Sequence, residues 1–140
     1  MHLVLRFYTV ARWLYEKKIP LAPDIIYKFM RVFFSCDIKY TVSIGKGVKF
    51  YHNALGVVIH KNSVIGNNVS IYQNVTLGGN GKERGANGAP IIKDGVFIGA
   101  GAVILGPVVI GQNAKIGANA VVINDVPSDM TAVGVPSRVK

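Results

Sequence analysis

A six-residue repeat of apolar positions runs through most of this 140-residue chain, starting at residue 44. Glycine often follows the repeated apolar residue, and the residue four places further on is small or β-branched. A fixed period of six is typical of a parallel β-helix, in which each hexapeptide supplies one short strand and one turn. The repeated apolar positions are Ile44, Phe50, Ile59, Ile65, Ile71, Leu77, Ile92, Ile98, Ile104, Ile110, Ile116 and Val122. The small positions are Val48, Ser63, Val69, Val75, Val96, Ala102, Val108, Ala114, Ala120 and Val126.

The repeat is interrupted twice, by three extra residues after Phe50 and by a longer insertion over Gly78 to Pro90. A β-sandwich would instead show alternation with a period of two and turn signals every 8–12 residues or so. So many positions in one phase favour the β-helix. Three hexapeptides would form each triangular coil, with the apolar residue inside and Asn or Gly easing the turns.

Residues 1–36 differ from the rest because they contain none of the sixteen glycines. Apolar spacing predicts one helix from Leu3 to Lys18 and a second from Ile25 to Phe34, with Asp24 as the N-cap of the second. The chain is therefore divided into a helical hairpin over 1–36 and a β-helix domain over 37–140. The predicted buried stripes are Leu3, Phe7, Val10, Ala11 and Leu14 in the first helix, and Ile26, Phe29, Met30 and Phe33 in the second.

The net charge of +9 indicates an anionic partner. The hairpin carries +4, from six basic and two acidic residues, and the β-helix carries the remaining +5. A basic aromatic hairpin suits either an anionic membrane surface or packing on the main domain or a partner subunit. No nucleic-acid recognition motif accompanies the charge. A single cysteine, Cys36, excludes an intrachain disulfide, and no apolar run reaches the roughly 20 residues of a membrane span. We expect a cytoplasmic protein, with the inner face of the membrane as an alternative location.

Four stretches carry a further pattern: residues 69–82, residues 96–107, residues 114–122 and the ending from Asp125 to Pro136. Together they resemble the serine acetyltransferase group of hexapeptide acyltransferases, and the resemblance covers about residues 35–140. It implies a left-handed parallel β-helix, mainly β with the short N-terminal hairpin, and a homotrimer. It also implies acetyl-CoA as donor and a hydroxyl group as acceptor.

The resemblance places the catalytic pair at His52 and Asp37. His52, within the three-residue interruption of the repeat, matches the family's general base, and Asp37 matches its acidic partner. Acetyl transfer to a hydroxyl needs such a base, and a carboxylate would fix the tautomer of the imidazole. The alternative for His52 is a turn histidine bonded to backbone. A zinc site would need three converging histidines, and the repeat region has only His52 and His60, so no metal is expected.

The same resemblance places the acetyl-CoA contacts in the later coils. Gly78 and Gly79 match the donor-side motif, where backbone N–H groups approach the thioester. Three small residues match the pantetheine groove, and three cations are candidates for the CoA phosphates, the alternative being solvated charge. The inserted loop, with Lys82, Glu83 and Arg84, would close over the cleft between subunits or remain a surface loop. The small residues are Ala100, Gly101 and Ala118, and the cations are Lys115, Arg138 and Lys140.

Two departures from the family bear on the acceptor. Tyr51 stands where the family has Asp, and residues 88–90 read Gly-Ala-Pro where the family has Arg-His-Pro. Both ionic contacts to a free amino acid are then missing, which would weaken serine recognition. We therefore expect a sugar or surface-polysaccharide hydroxyl as acceptor, as in the short polysaccharide-cluster members, contacted by Tyr51, Asn53 and His60. The alternatives are a serine O-acetyltransferase of cysteine biosynthesis and a non-catalytic trimeric module.

Overall fold

The computed structural model describes residues 3–81 and 88–140. It opens with two α-helices, α1 over Leu3–Glu16 and α2 over Ala22–Phe33. The turn between them contains Pro20, which cannot donate a helical hydrogen bond. The expectation for Asp24 is wrong, because Leu21 is the N-cap and Asp24 lies in the first turn of α2. There the Asp24 carboxylate accepts a hydrogen bond of 2.9 Å from the Tyr40 hydroxyl.

Fifteen short strands follow within the described residues, each of two or three residues. They are β1 (Asp37–Ile38), β2 (Ser43–Ile44), β3 (Lys49–Phe50), β4 (Val58–Ile59), β5 (Val64–Ile65), β6 (Ser70–Ile71), β7 (Thr76–Gly78), β8 (Ile91–Ile92), β9 (Phe97–Ile98), β10 (Val103–Leu105), β11 (Val109–Ile110), β12 (Lys115–Ile116), β13 (Val121–Val122), β14 (Thr131–Val133) and β15 (Arg138–Val139). A tight turn over Tyr51–Ala54, in which His52 and Asn53 have non-helical φ and ψ values, separates β3 from β4.

The strands stack into three sheets, and each of the first four coils contributes one strand to each sheet. The first sheet has the order β1-β4-β7-β10-β13, the second β2-β5-β8-β11, and the third β3-β6-β9-β12-β14-β15. All pairings are parallel except that of β14 with β15. The predicted parallel β-helix is confirmed, since strands three apart in sequence are neighbours in space.

The core of the prism consists of the two columns of residues that the six-residue repeat predicts. Eleven of the twelve repeated apolar residues are buried, and all ten small positions are buried. Ile44 is the exception, because it lies half-buried in the first coil and packs against the edge of the core. Burial of these side chains, at roughly 25 cal/mol per Å² of apolar surface, is what stabilises such short strands.

The hairpin packs against the N-terminal coil and shares its core with it. The Tyr8 hydroxyl and the Arg12 guanidinium donate to backbone carbonyls of residues 40–42. The predicted stripes are only partly right. In α1 the buried residues are Val4, Leu5, Tyr8 and Ala11, and in α2 they are Pro23 and Met30. Leu3, Val10, Phe29 and Phe33 are instead exposed.

Among the described residues, no helix is both long and apolar enough to cross a membrane.

Candidate active site

His52 lies in a turn built from the three extra residues between the third and first sheets. His52, Asn53 and Ala54 have φ values of 52°, 51° and 60°, so three consecutive residues adopt the left-handed conformation. That conformation costs roughly 1–2 kcal/mol for each residue other than glycine. Residues held in such regions cluster at functional sites. Buried Ala54 anchors the turn, while the His52 side chain is exposed to solvent.

Asp37 lies on β1, in the first sheet, and its carboxylate is held by α2. The Tyr27 hydroxyl donates to Oδ1, and Arg31 Nη2 lies 3.7 Å from Oδ2. Burial and then the hydrogen bond to Asp37 raise the pKa of Tyr27, so its hydroxyl keeps its proton and remains a donor. Within residues 3–81 and 88–140, no hydrogen bond joins Asp37 to His52. Their pairing stays a prediction.

A groove of about 320 Å³ runs over the outer face of the first sheet. It brings together three of the residues singled out from sequence, the predicted acid Asp37, the acceptor candidate His60 and the donor-side Gly78. They come from successive coils, because β1, β4 and β7 are neighbours in that sheet. The other lining residues are Tyr27, Lys39, Val58, Ile59, Lys61 and Leu77.

His60 follows β4, and a backbone hydrogen bond defines which of its two ring nitrogens accepts and which donates. The backbone N–H of Asn62 donates to His60 Nδ1 at 3.2 Å. An accepting Nδ1 puts the proton of the neutral imidazole on Nε2. The His60 side chain, which is half-buried, thus has an N–H that suits an acceptor oxygen in the groove.

Tyr51, immediately before His52, belongs to an aromatic cluster. Its ring stacks on Tyr72 with centroids 4.2 Å apart and planes 13° apart, and Tyr72 packs against Phe97 at 5.2 Å. The strand pairing explains the stack, since Phe50 pairs with Ile71 and the next residue in each coil is a tyrosine. An aromatic surface therefore stands where the family has a carboxylate.

A column of equivalent positions, two of them occupied by alanine, continues along the corner from the His52 turn. Pairing of Phe50, Ile71, Ile98 and Ile116 places His52, Gln73, Ala100 and Ala118 at equivalent positions in successive coils. The Asn119 N–H donates to the Ala100 carbonyl at 2.9 Å, which fixes two of these coils together. Gly99 is required here, because a Cβ at this position would lie 2.7 Å from the Ala118 nitrogen.

The remaining predicted donor contacts are distributed around this column. Gly101 lies on the same corner, with φ at +71°, and Gly79 follows β7 beyond the groove. Lys115 on β12 and Arg138 on β15 are exposed on the third sheet, which borders the column. The proposed roles of Lys82, Glu83 and Arg84 fall outside the described residues.

Sequence reasoning missed Tyr27, Arg31, Tyr72 and Gln73. An aromatic residue after the inward residue in two successive coils was a signal for Tyr72. Gln73 shares the column with His52, and its Oε1 is buried with no hydrogen-bond partner among the described residues. Tyr27 and Arg31 carried no signal, because their approach to Asp37 depends on how α2 packs. Among residues 3–81 and 88–140, no group of three His, Cys, Asp or Glu side chains is placed to hold a metal ion.

Comparison with known proteins agrees with the repeat architecture. Residues 89–124 match the family model for the bacterial transferase hexapeptide (six repeats), and residues 41–73 match the hexapeptide repeat of succinyl-transferase. The chain belongs to the hexapeptide-repeat acyltransferase family.

Two of its curated relatives are serine acetyltransferases. That of Synechococcus elongatus is 42% identical over 132 residues, which is 94% of this chain and 53% of the relative. That of Haemophilus influenzae is 46% identical over 132 residues, 94% of this chain and 49% of the relative.

Solved structures of the same family show the same fold. Soybean serine acetyltransferase, as the apoenzyme, superposes with a TM-score of 0.92 at 46% identity over 99% of this chain and 56% of that one. A serine acetyltransferase in complex with CoA gives 0.88 at 41% identity, over 98% and 55%. The left-handed β-helix expected from the resemblance is thereby confirmed. The chain spans about half the length of the curated relatives it matches. These relatives lend no support to the polysaccharide-cluster subgroup.

Proposed function

We propose that this chain is an acetyl-CoA-dependent O-acetyltransferase in which His52 is the general base. One observation carries the proposal: a histidine in a strained, exposed corner turn shares a column with two small side chains, Ala100 and Ala118, beside a groove. Relatives at 42% and 46% identity, both serine acetyltransferases, support the same chemistry. They favour serine as the acceptor, which is the alternative predicted from sequence. The sugar hydroxyl, which is the main prediction from sequence, is less favoured.

In the proposed reaction, the His52 imidazole takes the proton of the acceptor hydroxyl as its oxygen attacks the thioester carbonyl carbon. The carbonyl oxygen becomes negative, and backbone N–H groups near Gly78 and Gly79 would stabilise it. Collapse of this intermediate breaks the carbon–sulfur bond. The CoA thiolate then takes the proton from the imidazolium, which leaves an acetyl ester and free CoA.

The residues present fit an extended donor along the corner. Ala100 and Ala118 leave a ledge without large side chains that begins beyond Gln73, so the thioester would lie at the end nearer His52. Neighbouring parallel strands are spaced about 4.8 Å apart, so Ala118 lies roughly three such steps from the coil of His52. Lys115 and Arg138, at the far end of the third sheet, would then meet the phosphates as cationic donors.

The acceptor would enter from the groove on the first sheet. His60 Nε2–H and the aromatic surface of Tyr51 are its proposed contacts, with Asn53 at the edge of the turn. Asp37 would orient the His52 imidazole once donor and acceptor are bound. A homotrimer would complete the site by laying a second subunit against this groove, an arrangement that symmetric closure of a prism permits.

A second acceptor class is favoured by the stacked tyrosines. A tyrosine ring offers an apolar face, whereas an ammonium group prefers a carboxylate partner. Sugar rings carry apolar C–H faces, so the Tyr51–Tyr72 stack suits a sugar hydroxyl. A lipid-linked sugar would also give a role to the exposed apolar residues Trp13, Leu21 and Phe33 of the hairpin, which would then contact an anionic membrane.

Release of CoA thiol from acetyl-CoA, measured against serine and a panel of sugars, tests the proposal. Turnover with serine supports the serine alternative, and turnover with a sugar alone supports the second class. If CoA does not bind and no acceptor releases thiol, the chain is a non-catalytic trimeric module.

Substitution of Tyr51 separates the two acceptor classes. Tyr51→Asp restores the carboxylate that the family uses, so it should raise kcat/KM for serine by about tenfold. That factor corresponds to the free energy of one hydrogen bond to a charged group. The control is Tyr51→Phe, which keeps the stack and removes only the hydroxyl. Equal serine kinetics in both variants would show that residue 51 does not recognise the acceptor.

A further inference from the structure

Helix α2 reaches the first sheet at one point that lies in the groove. There the Tyr27 hydroxyl donates to Asp37 Oδ1, and Arg31 Nη2 lies 3.7 Å from Asp37 Oδ2. The Arg31 guanidinium carbon is also 5.8 Å from the centroid of the Tyr27 ring. Three side chains from two elements thus form one cluster around a single carboxylate, and Asp37 and Tyr27 both line the groove.

We infer that Tyr27 and Arg31 are positioning residues that hold the Asp37 carboxylate for His52. This inference rests on the proposed function, and it makes the hairpin part of the catalytic apparatus. Neither residue touches the reacting atoms. Each acts through Asp37, Tyr27 by fixing the rotation of the carboxylate and Arg31 by placing a positive charge beside Oδ2.

The hydrogen-bonding capacity of the carboxylate permits this role. An ionised carboxylate offers about four lone-pair sites on its two oxygens. Tyr27 occupies one site on Oδ1, and Arg31 approaches Oδ2 only loosely, from a side chain that is 55% exposed. Sites remain for the imidazole N–H of His52. Because Tyr27 already fixes one rotamer of Asp37, less conformational entropy is lost when that bond forms.

The chain supplies a matched control a few residues away. The Tyr40 hydroxyl donates to Asp24 Oδ1 at 2.9 Å, so it also joins a tyrosine to an aspartate between the β-helix and α2. Neither residue lines the groove on the first sheet. Loss of the Tyr40 hydroxyl therefore reports what such a bond contributes to stability alone.

The experiment compares Tyr27→Phe with Tyr40→Phe by steady-state thiol release and by thermal unfolding. We expect Tyr27→Phe to lower kcat about fivefold, which corresponds to the net free energy of one hydrogen bond. The KM for acetyl-CoA should not change. Tyr40→Phe should lower Tm similarly and leave kcat unchanged. Arg31→Gln should also lower kcat, and Arg31→Lys should restore most of it because the charge returns.

An Asp37→Asn background gives the decisive comparison. If Tyr27 acts through Asp37, adding Tyr27→Phe to Asp37→Asn should cause no further loss of kcat. Additive losses would overturn the inference, as would equal kcat in Tyr27→Phe and Tyr40→Phe with an active wild-type chain. A wild-type chain that is inert toward every acceptor would instead overturn the proposed function and this inference with it.

Discussion

At the scale of single residues, His52 combines an unfavourable backbone with an exposed functional side chain. Histidine, asparagine and aspartate tolerate the left-handed region better than most residues. Asparagine therefore replaces His52 without disturbing the turn, while it removes the base. We expect His52→Asn to lower kcat by about 10²–10⁴-fold, the usual contribution of a general base. Thiol release measures this loss, and far-UV circular dichroism and Tm should stay unchanged.

His60→Asn is the companion variant for this test. His60 lies in the groove as a proposed contact to the acceptor, so its loss should raise the acceptor KM and leave most of kcat. Turnover that survives in His52→Asn but not in His60→Asn would transfer the role of base to His60.

Cys36 should contribute little background to the assay of CoA thiol release. It is buried beneath α2, and burial raises the pKa of its thiol to about 11. At pH 8 only about one molecule in a thousand then carries the reactive thiolate. We expect alkylation of the folded chain by iodoacetamide at pH 8 to be far slower than that of a chain unfolded in guanidinium. Comparable rates would show that the first coil opens readily.

At the scale of elements, the sequence predicts β2 to β13 well because their inward residues repeat every six positions between the two insertions. Phe50, Ile71, Ile98 and Ile116 pair in one sheet as the period of six requires. The helix faces were harder. Phe33 shares an apolar stripe with Met30, yet Met30 is buried and Phe33 is 69% exposed. Periodicity identifies an amphipathic helix, but the angle at which it crosses its neighbour decides which part of the stripe is covered.

The same contrast applies to the candidate site. The corner column of His52, Ala100 and Ala118 follows from the period alone, since equal phase means equal position. The groove on the first sheet required the three-dimensional stacking of β1, β4 and β7. The contact of Tyr27 with Asp37 could not be predicted, because it depends on how a helix outside the repeat packs against the first coil.

Ala118 tests the donor groove at this scale. It is exposed, so Ala118→Leu should leave Tm unchanged, while its larger side chain fills the ledge and should raise KM for acetyl-CoA about tenfold or more. Gln112→Leu is the matched control. Gln112 is also exposed and occupies the equivalent position in the preceding hexapeptide, on a different corner. If both variants keep the wild-type KM, the donor does not lie along this column.

At the scale of the whole molecule, the three outer faces of the prism differ in character. Outward residues of the first sheet are mostly apolar, whereas the third sheet presents Lys49, Ser70 and Lys115 along with Phe97. The first sheet shows Asp37, Val58, Thr76, Val103 and Val121 to the outside, and the second shows Ser43, Val64, Ile91 and Val109. Apolar outer faces of this kind mark surfaces that are covered in an assembly. The first and second sheets are therefore the faces along which a homotrimer would close, with the third toward solvent.

Val103→Lys tests this arrangement, because a lysine on β10, an inner strand of the first sheet, would place an unpaired charge in the interface. We expect the wild-type chain to sediment as three copies of 15.1 kDa, about 45 kDa, and Val103→Lys as a monomer. Ser70→Lys, at similar exposure on the third sheet, should remain trimeric. Circular dichroism checks that both variants keep the β-helix.

Because the site is proposed to close between subunits, thiol release should fall with the trimer in Val103→Lys and persist in Ser70→Lys. A monomeric Val103→Lys with full activity would place the whole site within one chain.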